Sequence, residues 1–336
     1  MKIVQSSMLE LEKEKIIGMA SGVECESEIP IIDLNDFELR REEITESLWK
    51  SATETGFFQL ENHGISLPDI QQTFINAERF FALPDKDKAQ YPLEENAGWE
   101  SMAQVRPSTG QADQKESYQI TRPLMQGKWP KEDLLPGFKE QVLSFEHACW
   151  IVGMRVLSCF ADRLGFSTDF FKQAHNPDKE SYRSTLRLLH YFPTSGDTTG
   201  WRAGAHTDFD CLTLLFQREG EAGLQACSGR SYTAREWVPV PAISGRITCN
   251  IGDMLMRWSD DRLLSNFHRV KAPEGAPAPS RYSLAFFCQA NSDVVISSPG
   301  GRYGSISAGE YVTKRVQANF ASVPSAPILG DTASYG

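Results

Sequence analysis

Short strands follow one another without intervening helices through the second half of this 336-residue chain, and a helix-rich first half precedes them. His206-x-Asp208 stands directly before one of those strands. These observations predict an α+β fold: a double-stranded β-helix, the jelly roll of cupin-like architecture, flanked by N-terminal helices and a C-terminal helix. The expected organisation is a lead-in over 1–28, a single domain over 29–323 and a flexible tail of small residues over 324–336. Within the domain, a helical half (29–183) wraps on a jelly-roll core (184–300), and a helix at 307–320 closes it.

In chain order, the lead-in is polar, with one short helix at 8–17, and 29–34 reads as a short strand with Pro30 tolerated at its start. Leu39, Ile44, Leu48 and Trp49 give 36–53 helical spacing. Gly56-Phe-Phe-Gln-Leu-Glu-Asn-His-Gly64 follows as strand and turn, then 67–81 as an amphipathic helix stopped by Leu83-Pro84. Residues 85–130 are polar and irregular, and a loop this long inside a compact domain reads as a substrate lid or a solvated insertion. Phe138, Val142, Phe145, Trp150, Met154 and Phe160 mark 136–164 as the longest helix, a packing element along the outside of the sheet. A short helix at 168–174 ends the first half. Strands are then expected at 185–192, 211–216, 224–226, 237–239, 246–251, 254–258, 267–270, 282–288 and 294–296, punctuated by Gly, Pro and Asp.

Composition narrows the function. The net charge is −10 and no run of basic residues occurs, which argues against a nucleic-acid partner. An apolar content of 40% suits a globular core. No segment approaches the roughly 20 apolar residues of a membrane span. Glu10, Glu12, Lys13, Glu14 and Lys15 interrupt any signal-like apolar run. The seven cysteines are scattered, odd in number and lack C-x-x-C spacing, so reduced thiols in a cytoplasmic protein are expected. Cys149, Cys159, Cys211, Cys249 and Cys288 sit in apolar runs and read as small buried hydrophobes. The partner expected is a small molecule, not a nucleic acid or a membrane; the oligomeric state is not legible.

The chemistry is concentrated in three places. In an extended backbone, residues two apart share a face, so His206 and Asp208 can converge on one cation. His268, in Ser265-Asn-Phe-His-Arg-Val270, is the natural third ligand. Two imidazoles and one carboxylate leave three octahedral positions open, the arrangement of non-haem Fe(II) oxygenases. Arg281 and Ser283 are again two apart on a strand pattern, where a guanidinium and a hydroxyl can grip a carboxylate. Without that second pair, His206 and His268 read better as satisfied core histidines, with Asp208 starting a turn. Asp210 repeats the spacing of Asp208 one step on and rivals it as a ligand, with a turn role as the alternative. His63 sits in a turn beside Gly64 and is expected to be structural, as is Asp253 in Asn250-Ile-Gly-Asp253.

His206-x-Asp208, His268 and Arg281-x-Ser283, in this order and spacing, resemble the Fe(II)/2-oxoglutarate-dependent dioxygenases of the isopenicillin-N-synthase-like branch. Arg202-Ala-Gly-x-His-Thr-Asp, Leu214-Leu-Phe-Gln217, Gly223-Leu-Gln225 and Arg257-Trp-Ser are similar to its thymine-7-hydroxylase-like and secondary-metabolism members. The resemblance implies Fe(II) on His206, Asp208 and His268, 2-oxoglutarate as cosubstrate on Arg281 and Ser283, and O2. Succinate and CO2 would form as a C–H bond of a small organic substrate is oxidised. It further implies a cosubstrate role for Tyr191, with His190 and Phe192 standing where relatives carry an Asn-x-Tyr, and substrate contacts from Arg187, Phe287 and Asn96. Phe209 replaces a Tyr of the pocket wall. Arg187 has an alternative reading as a strand-face arginine paired with a core carboxylate. Two other functions stay open at this point: an iron oxidase of the isopenicillin N synthase type, independent of 2-oxoglutarate and clamping its substrate's own carboxylate, and a non-catalytic metal-binding jelly roll.

Overall fold

Alternation along the strands separates apolar residues that pack against the helices from apolar residues that pack between the sheets. The computed structural model of the chain describes residues 23–104, 112–195, 201–227, 236–272 and 277–320. The expected helix at 8–17, most of the 1–28 lead-in and the whole 324–336 tail lie outside the described residues.

The strands are β1 (Val23–Glu24), β2 (Ile31–Asp33), β3 (Phe57–Glu61), β4 (Gly98–Ser101), β5 (Lys115–Ile120), β6 (Thr185–Tyr191), β7 (Trp201–His206) and β8 (Leu212–Gln217). They continue with β9 (Leu224–Cys227), β10 (Glu236–Pro239), β11 (Ile247–Ile251), β12 (His268–Lys271) and β13 (Arg281–Cys288). Among the described residues these form a five-stranded sheet in the order β1-β10-β9-β12-β7 and an eight-stranded sheet in the order β2-β3-β11-β8-β13-β6-β5-β4. A separate ribbon pairs β14 (Val295–Ile296) with β15 (Ile306–Ser307). The helices are α1 (Arg41–Glu54), α2 (Leu67–Phe81), α3 (Asp85–Lys88), α4 (Phe138–Leu164), α5 (Phe170–Ala174), α6 (Asp253–Trp258) and α7 (Ala308–Phe320). This is the expected double-stranded β-helix flanked by helices at both ends.

Period-2 patterning assigns the faces of the large sheet. Leu212, Leu214 and Phe216 of β8, with Leu284, Phe286 and Cys288 of β13, join the core shared with the helices. Their strand neighbours Thr213, Leu215, Ser283, Ala285 and Phe287 face a cavity between the two sheets. Leu189, Ala203, Leu224, Val238 and Val270 form the second core there. The helix α4 seats on the outer face through Gly153, where a Cβ would lie 2.4 Å from the Cys288 sulfur. Ser66 caps α2 by accepting from the Asp69 N–H, and Gly165, at φ 80°, ends α4.

Several expectations need correction. Residues 254–258 are helical, not a strand: Met254, Leu255 and Trp258 are buried at helical spacing, and the segment contains no β-branched residue. Residues 85–130 are not irregular throughout: among the described ones α3, β4 and β5 form, β5 extends the large sheet beside β6, and Asn96, Glu100 and Gln119 line the cavity. Every residue of β5 is buried, including Lys115, Glu116, Ser117 and Gln119. Glu116 accepts from Lys88, Trp99 and His190, so its charge is paired and escapes any hydropathy pattern. β7 was hidden by its Ala- and Gly-rich sequence, which carries little strand propensity. Finally, α4 does have the length and apolar content of a membrane span, but 61% of its apolar window is buried within the fold.

Candidate active site

His206 ends β7, His268 begins β12, and the two are register partners in the five-stranded sheet. A register irregularity next to this pair, between His268 and Val270, lets Ala203 and His206 both face inward. Asp208 follows in the loop toward β8. The candidate ligand atoms of His206, Asp208 and His268 lie within 4.8 Å of one another. Asp208 Oδ1 is 3.9 Å from His206 Nε2 and 3.8 Å from His268 Nε2, and the two rings are 4.2 Å apart. Nε2 of each histidine therefore turns toward the same carboxylate oxygen. The remaining nitrogen of His206, Nδ1, lies 2.7 Å from the Gly204 carbonyl, which fixes the ring and directs the Nε2 lone pair at the shared point.

The other oxygen of Asp208 is held from behind. Thr213 Oγ1 donates to Oδ2 at 2.6 Å and Asn250 Nδ2 at 2.8 Å. Burial alone would raise this carboxyl, but the charges of His268 and His206 and these two donors outweigh it and bring it to about 2. Asp210 is different. Burial, then the neighbouring Asp208, push its carboxyl well above the usual range, and it stands outside the converging group. Its backbone instead packs against Gly252, where a Cβ would lie 2.2 Å from the Asp210 carbonyl oxygen. Of the two rival carboxylates, Asp208 is the one that shares a point with the imidazoles.

Asp253 holds the ligand loop. Its N–H donates to the Asp208 carbonyl at 2.8 Å, and its carboxylate accepts from Thr207 at 3.0 Å and Arg315 at 2.7 Å. Arg315, on α7, is fully buried and its guanidinium lies 4.5 Å from the centre of the Phe209 ring. The sequence reading missed this residue. The available signal was an arginine on the apolar stripe of α7, four residues after Tyr311 and three after Val312.

Arg281 and Ser283 are 2% and 1% exposed on the cavity face of β13. Arg281 Nε donates to the Glu221 carbonyl at 2.9 Å, and the guanidinium lies 4.9 Å from the centre of the Tyr191 ring. One terminal nitrogen of Arg281 and the Ser283 hydroxyl are buried with no hydrogen-bond partner among the described residues. Orphaned buried donors of this kind are costly, about 1–3 kcal/mol each, unless a ligand takes them. A carboxylate fits them, and two imidazoles with a carboxylate fit Fe(II).

Arg187, Tyr191, Phe209, Phe287 and Asn96 line the same cavity of about 780 Å3 as the triad and the Arg281–Ser283 pair. The Arg187 guanidinium lies 4.8 Å from the centre of the Phe287 ring and donates to Gln119 at 3.0 Å. Gln119 is thus one polar partner of Arg187 among the described residues. His190 is a correction, because the cavity-facing positions of β6 are Thr185, Arg187, Leu189 and Tyr191. Its ring turns to the helical side, between Glu116 and Ser280, stacked on Tyr282 with Phe192 nearby. His63 is also remote from the triad: Nδ1 accepts from the Ile65 N–H and Nε2 meets the Gly245 carbonyl.

Two family models match the chain: the N-terminal region of a non-haem dioxygenase in morphine synthesis over residues 29–136, and the 2OG-Fe(II) oxygenase superfamily over 182–290. The 2-oxoglutarate-dependent dioxygenase caaD of Aspergillus niger is 32% identical over 72% of this chain and 79% of its own. The chain belongs to the Fe(II)/2-oxoglutarate-dependent oxygenases. The proline hydroxylase buaE of Petromyces alliaceus is 33% identical over 78% of this chain and 86% of its own. The full-length thymine-7-hydroxylase of Neurospora crassa in complex with alpha-KG superposes with a TM-score of 0.77 at 28% identity, over 89% of this chain and 99% of that one. The same protein with alpha-KG and thymine gives 0.76 at 28% identity, over 86% and 96%. The chain is therefore an enzyme that uses Fe(II), 2-oxoglutarate and O2, which sets aside both the oxidase and the non-catalytic alternatives. Bound Fe(II) supplies the redox chemistry that couples decarboxylation of 2-oxoglutarate to oxidation of the substrate.

Proposed function

We propose that this oxygenase oxidises a C–H bond of a small organic molecule of secondary metabolism, with a planar, polar group seated between Arg187 and the metal centre. In this reading His206, Asp208 and His268 hold Fe(II), and Arg281 and Ser283 hold the far carboxylate of 2-oxoglutarate beside the Tyr191 ring. The observation that carries it is the shared cavity: the triad, the orphaned donors and the Arg187–Phe287 stack all open onto it. Its volume of about 780 Å3 falls within the range of about 300–1,000 Å3 that encloses drug-sized ligands, so it has room for more than a nucleobase. Arg187 is preset by Gln119 to donate in the plane of an amide, imide or carboxylate, Phe287 supports that plane, and Phe209 and Asn96 bound the same space. The thymine complex of the structurally similar Neurospora enzyme supports a flat polar substrate class, and the fungal relatives support a biosynthetic setting. Seven free cysteines support a reducing, cytoplasmic one.

The test is succinate release from the iron-loaded enzyme across a panel of cyclic amides, imides and aromatic acids, in wild type and Arg187→Gln. A true substrate accelerates succinate formation and yields an equivalent of oxidised product. Arg187→Gln is expected to raise KM for it by about tenfold or more, as for a lost charge-assisted hydrogen bond, while leaving substrate-free succinate formation unchanged. Substrates turned over equally by both forms would remove Arg187 from the pocket.

A further inference from the structure

A third polar group stands beside the Arg281–Ser283 pair. Gln217, the last residue of β8, is 3% exposed, and neither its amide nitrogen nor its amide oxygen has a hydrogen-bond partner among the described residues. A primary amide can make four hydrogen bonds, so a buried one making none asks for an occupant. Register gives its direction. Gln217 is the direct antiparallel partner of Ser283, and it shares the face of β8 carried by Thr213 and Leu215, both of which line the cavity. Opposed residues of an antiparallel pair hold their Cβ atoms about 4.5–5.5 Å apart on one face, within reach of a single small ligand. The Ser283 hydroxyl, one Arg281 nitrogen and the Gln217 amide are thus three unsatisfied buried groups on two adjacent strands.

The surroundings select an anion. Arg202 is 4% exposed and donates to the carbonyl of Pro279, two residues before Arg281. Burial, followed by the charge of Arg281, lowers its pKa, which places two buried guanidiniums within each other's field. Glu221 is the carboxylate beside them, and its oxygens are engaged by Arg218 and the Tyr282 N–H.

We propose that Gln217 completes the carboxylate floor, its amide N–H donating to the distal carboxylate of a 2-oxo dicarboxylic acid and thereby selecting diacids over 2-oxo monoacids. The inference rests on the reading of Arg281 and Ser283 as the cosubstrate clamp, and goes beyond it in assigning a residue of another strand. Three groups around one carboxylate also set the depth of the floor, and with it the chain length of the acid that still reaches the metal.

Calorimetric titration of the Mn(II)-loaded protein tests this with two probes of equal carbon count, 2-oxoglutarate and 2-oxopentanoate, which lacks the distal carboxylate. Gln217→Leu is expected to weaken 2-oxoglutarate about tenfold, as for a lost hydrogen bond to a charged group, and to leave 2-oxopentanoate and Mn(II) binding unchanged. Its ligand-free thermal midpoint is expected at or above the wild-type value, because an unpartnered amide is removed from the interior; a merely structural glutamine would lower it. Gln217→Met is the second variant should leucine pack badly. Unchanged 2-oxoglutarate affinity in either variant, or an equal loss for both acids, overturns the proposal. Arg281→Met separates the two levels. If it abolishes the preference for the diacid while Gln217→Leu does not, the clamp stands and Gln217 falls; if neither does, the clamp reading itself fails.

Discussion

Replacing Arg315 by Met cuts the tie between the C-terminal helix and the segment around Thr207, which lies between two of the three candidate ligands. Arg315 and Asp253 are 2.7 Å apart with side chains 0% and 1% exposed, so solvent neither screens the pair nor replaces a lost partner. Methionine keeps much of the apolar stem but leaves Asp253 with the Thr207 hydroxyl as its remaining side-chain partner among the described residues. Breaking a buried pair from one side costs about 3–5 kcal/mol, most of it the stranded charge. Thr207 lies between His206 and Asp208, so the loss is also expected locally, as metal affinity reduced about tenfold or more. Urea unfolding measures the first effect and Co(II) titration by visible absorption the second. The double variant Asp253→Asn/Arg315→Met removes the stranded charge and is expected to recover at least about 1 kcal/mol, within the range of coupling between contacting residues. Arg315→Met unfolding within about 0.5 kcal/mol of wild type, the level of an ordinary surface substitution, would refute the reasoning. So would full destabilisation with unchanged Co(II) affinity, since the helix would then support the fold without ordering the loop.

Two further outcomes follow from the same geometry. Thr213→Val removes the donor 2.6 Å from Asp208 Oδ2 at nearly constant volume, and is expected to weaken divalent metal binding by about 10–100-fold, read by competition with a chelating dye. Burial depresses His175 to about 4, against the carbonyls of Phe171 and Cys288 that favour its charged form. A histidine harder to protonate when folded contributes stability that is fully present above its unfolded pKa of about 6.5 and is lost as pH falls through about 4. The difference is worth about 3 kcal/mol at most. Urea midpoints between about pH 7 and about pH 4 should therefore fall more steeply for wild type than for His175→Gln, and parallel slopes would contradict the assignment.

The site was more legible than the scaffold that holds it. His206-x-Asp208 and Arg281-x-Ser283 can be found without coordinates because strand alternation turns a spacing of two into a shared face, and because those residue types are chemically specific. The same rule corrects His190, one position out of phase with the cavity. What stayed hidden is polar and buried. β5 reads as solvated sequence, yet Glu116 meets Lys88, Trp99 and His190, and these partners are distant in sequence. Arg315 and Gln217 escape for the same reason: one is a charge paired through tertiary structure, the other a buried amide with no hydrogen-bond partner among the described residues. The helix at Asp253–Trp258 was misread because a segment as short as Met-Leu-Met-Arg-Trp suits either period, and its lack of β-branched residues was the available signal.

The central claim is that one protein face offers iron through His206, Asp208 and His268 and a carboxylate seat through Arg281 and Ser283. Anaerobic addition of 2-oxoglutarate to the Fe(II)-loaded protein, followed by visible absorption, tests both halves at once. A metal-to-ligand charge-transfer band is expected that saturates with 2-oxoglutarate in wild type, needs far more 2-oxoglutarate in Arg281→Met, and is absent in His268→Ala. A wild-type protein that binds iron yet shows no band, or a band undiminished in His268→Ala, would contradict it.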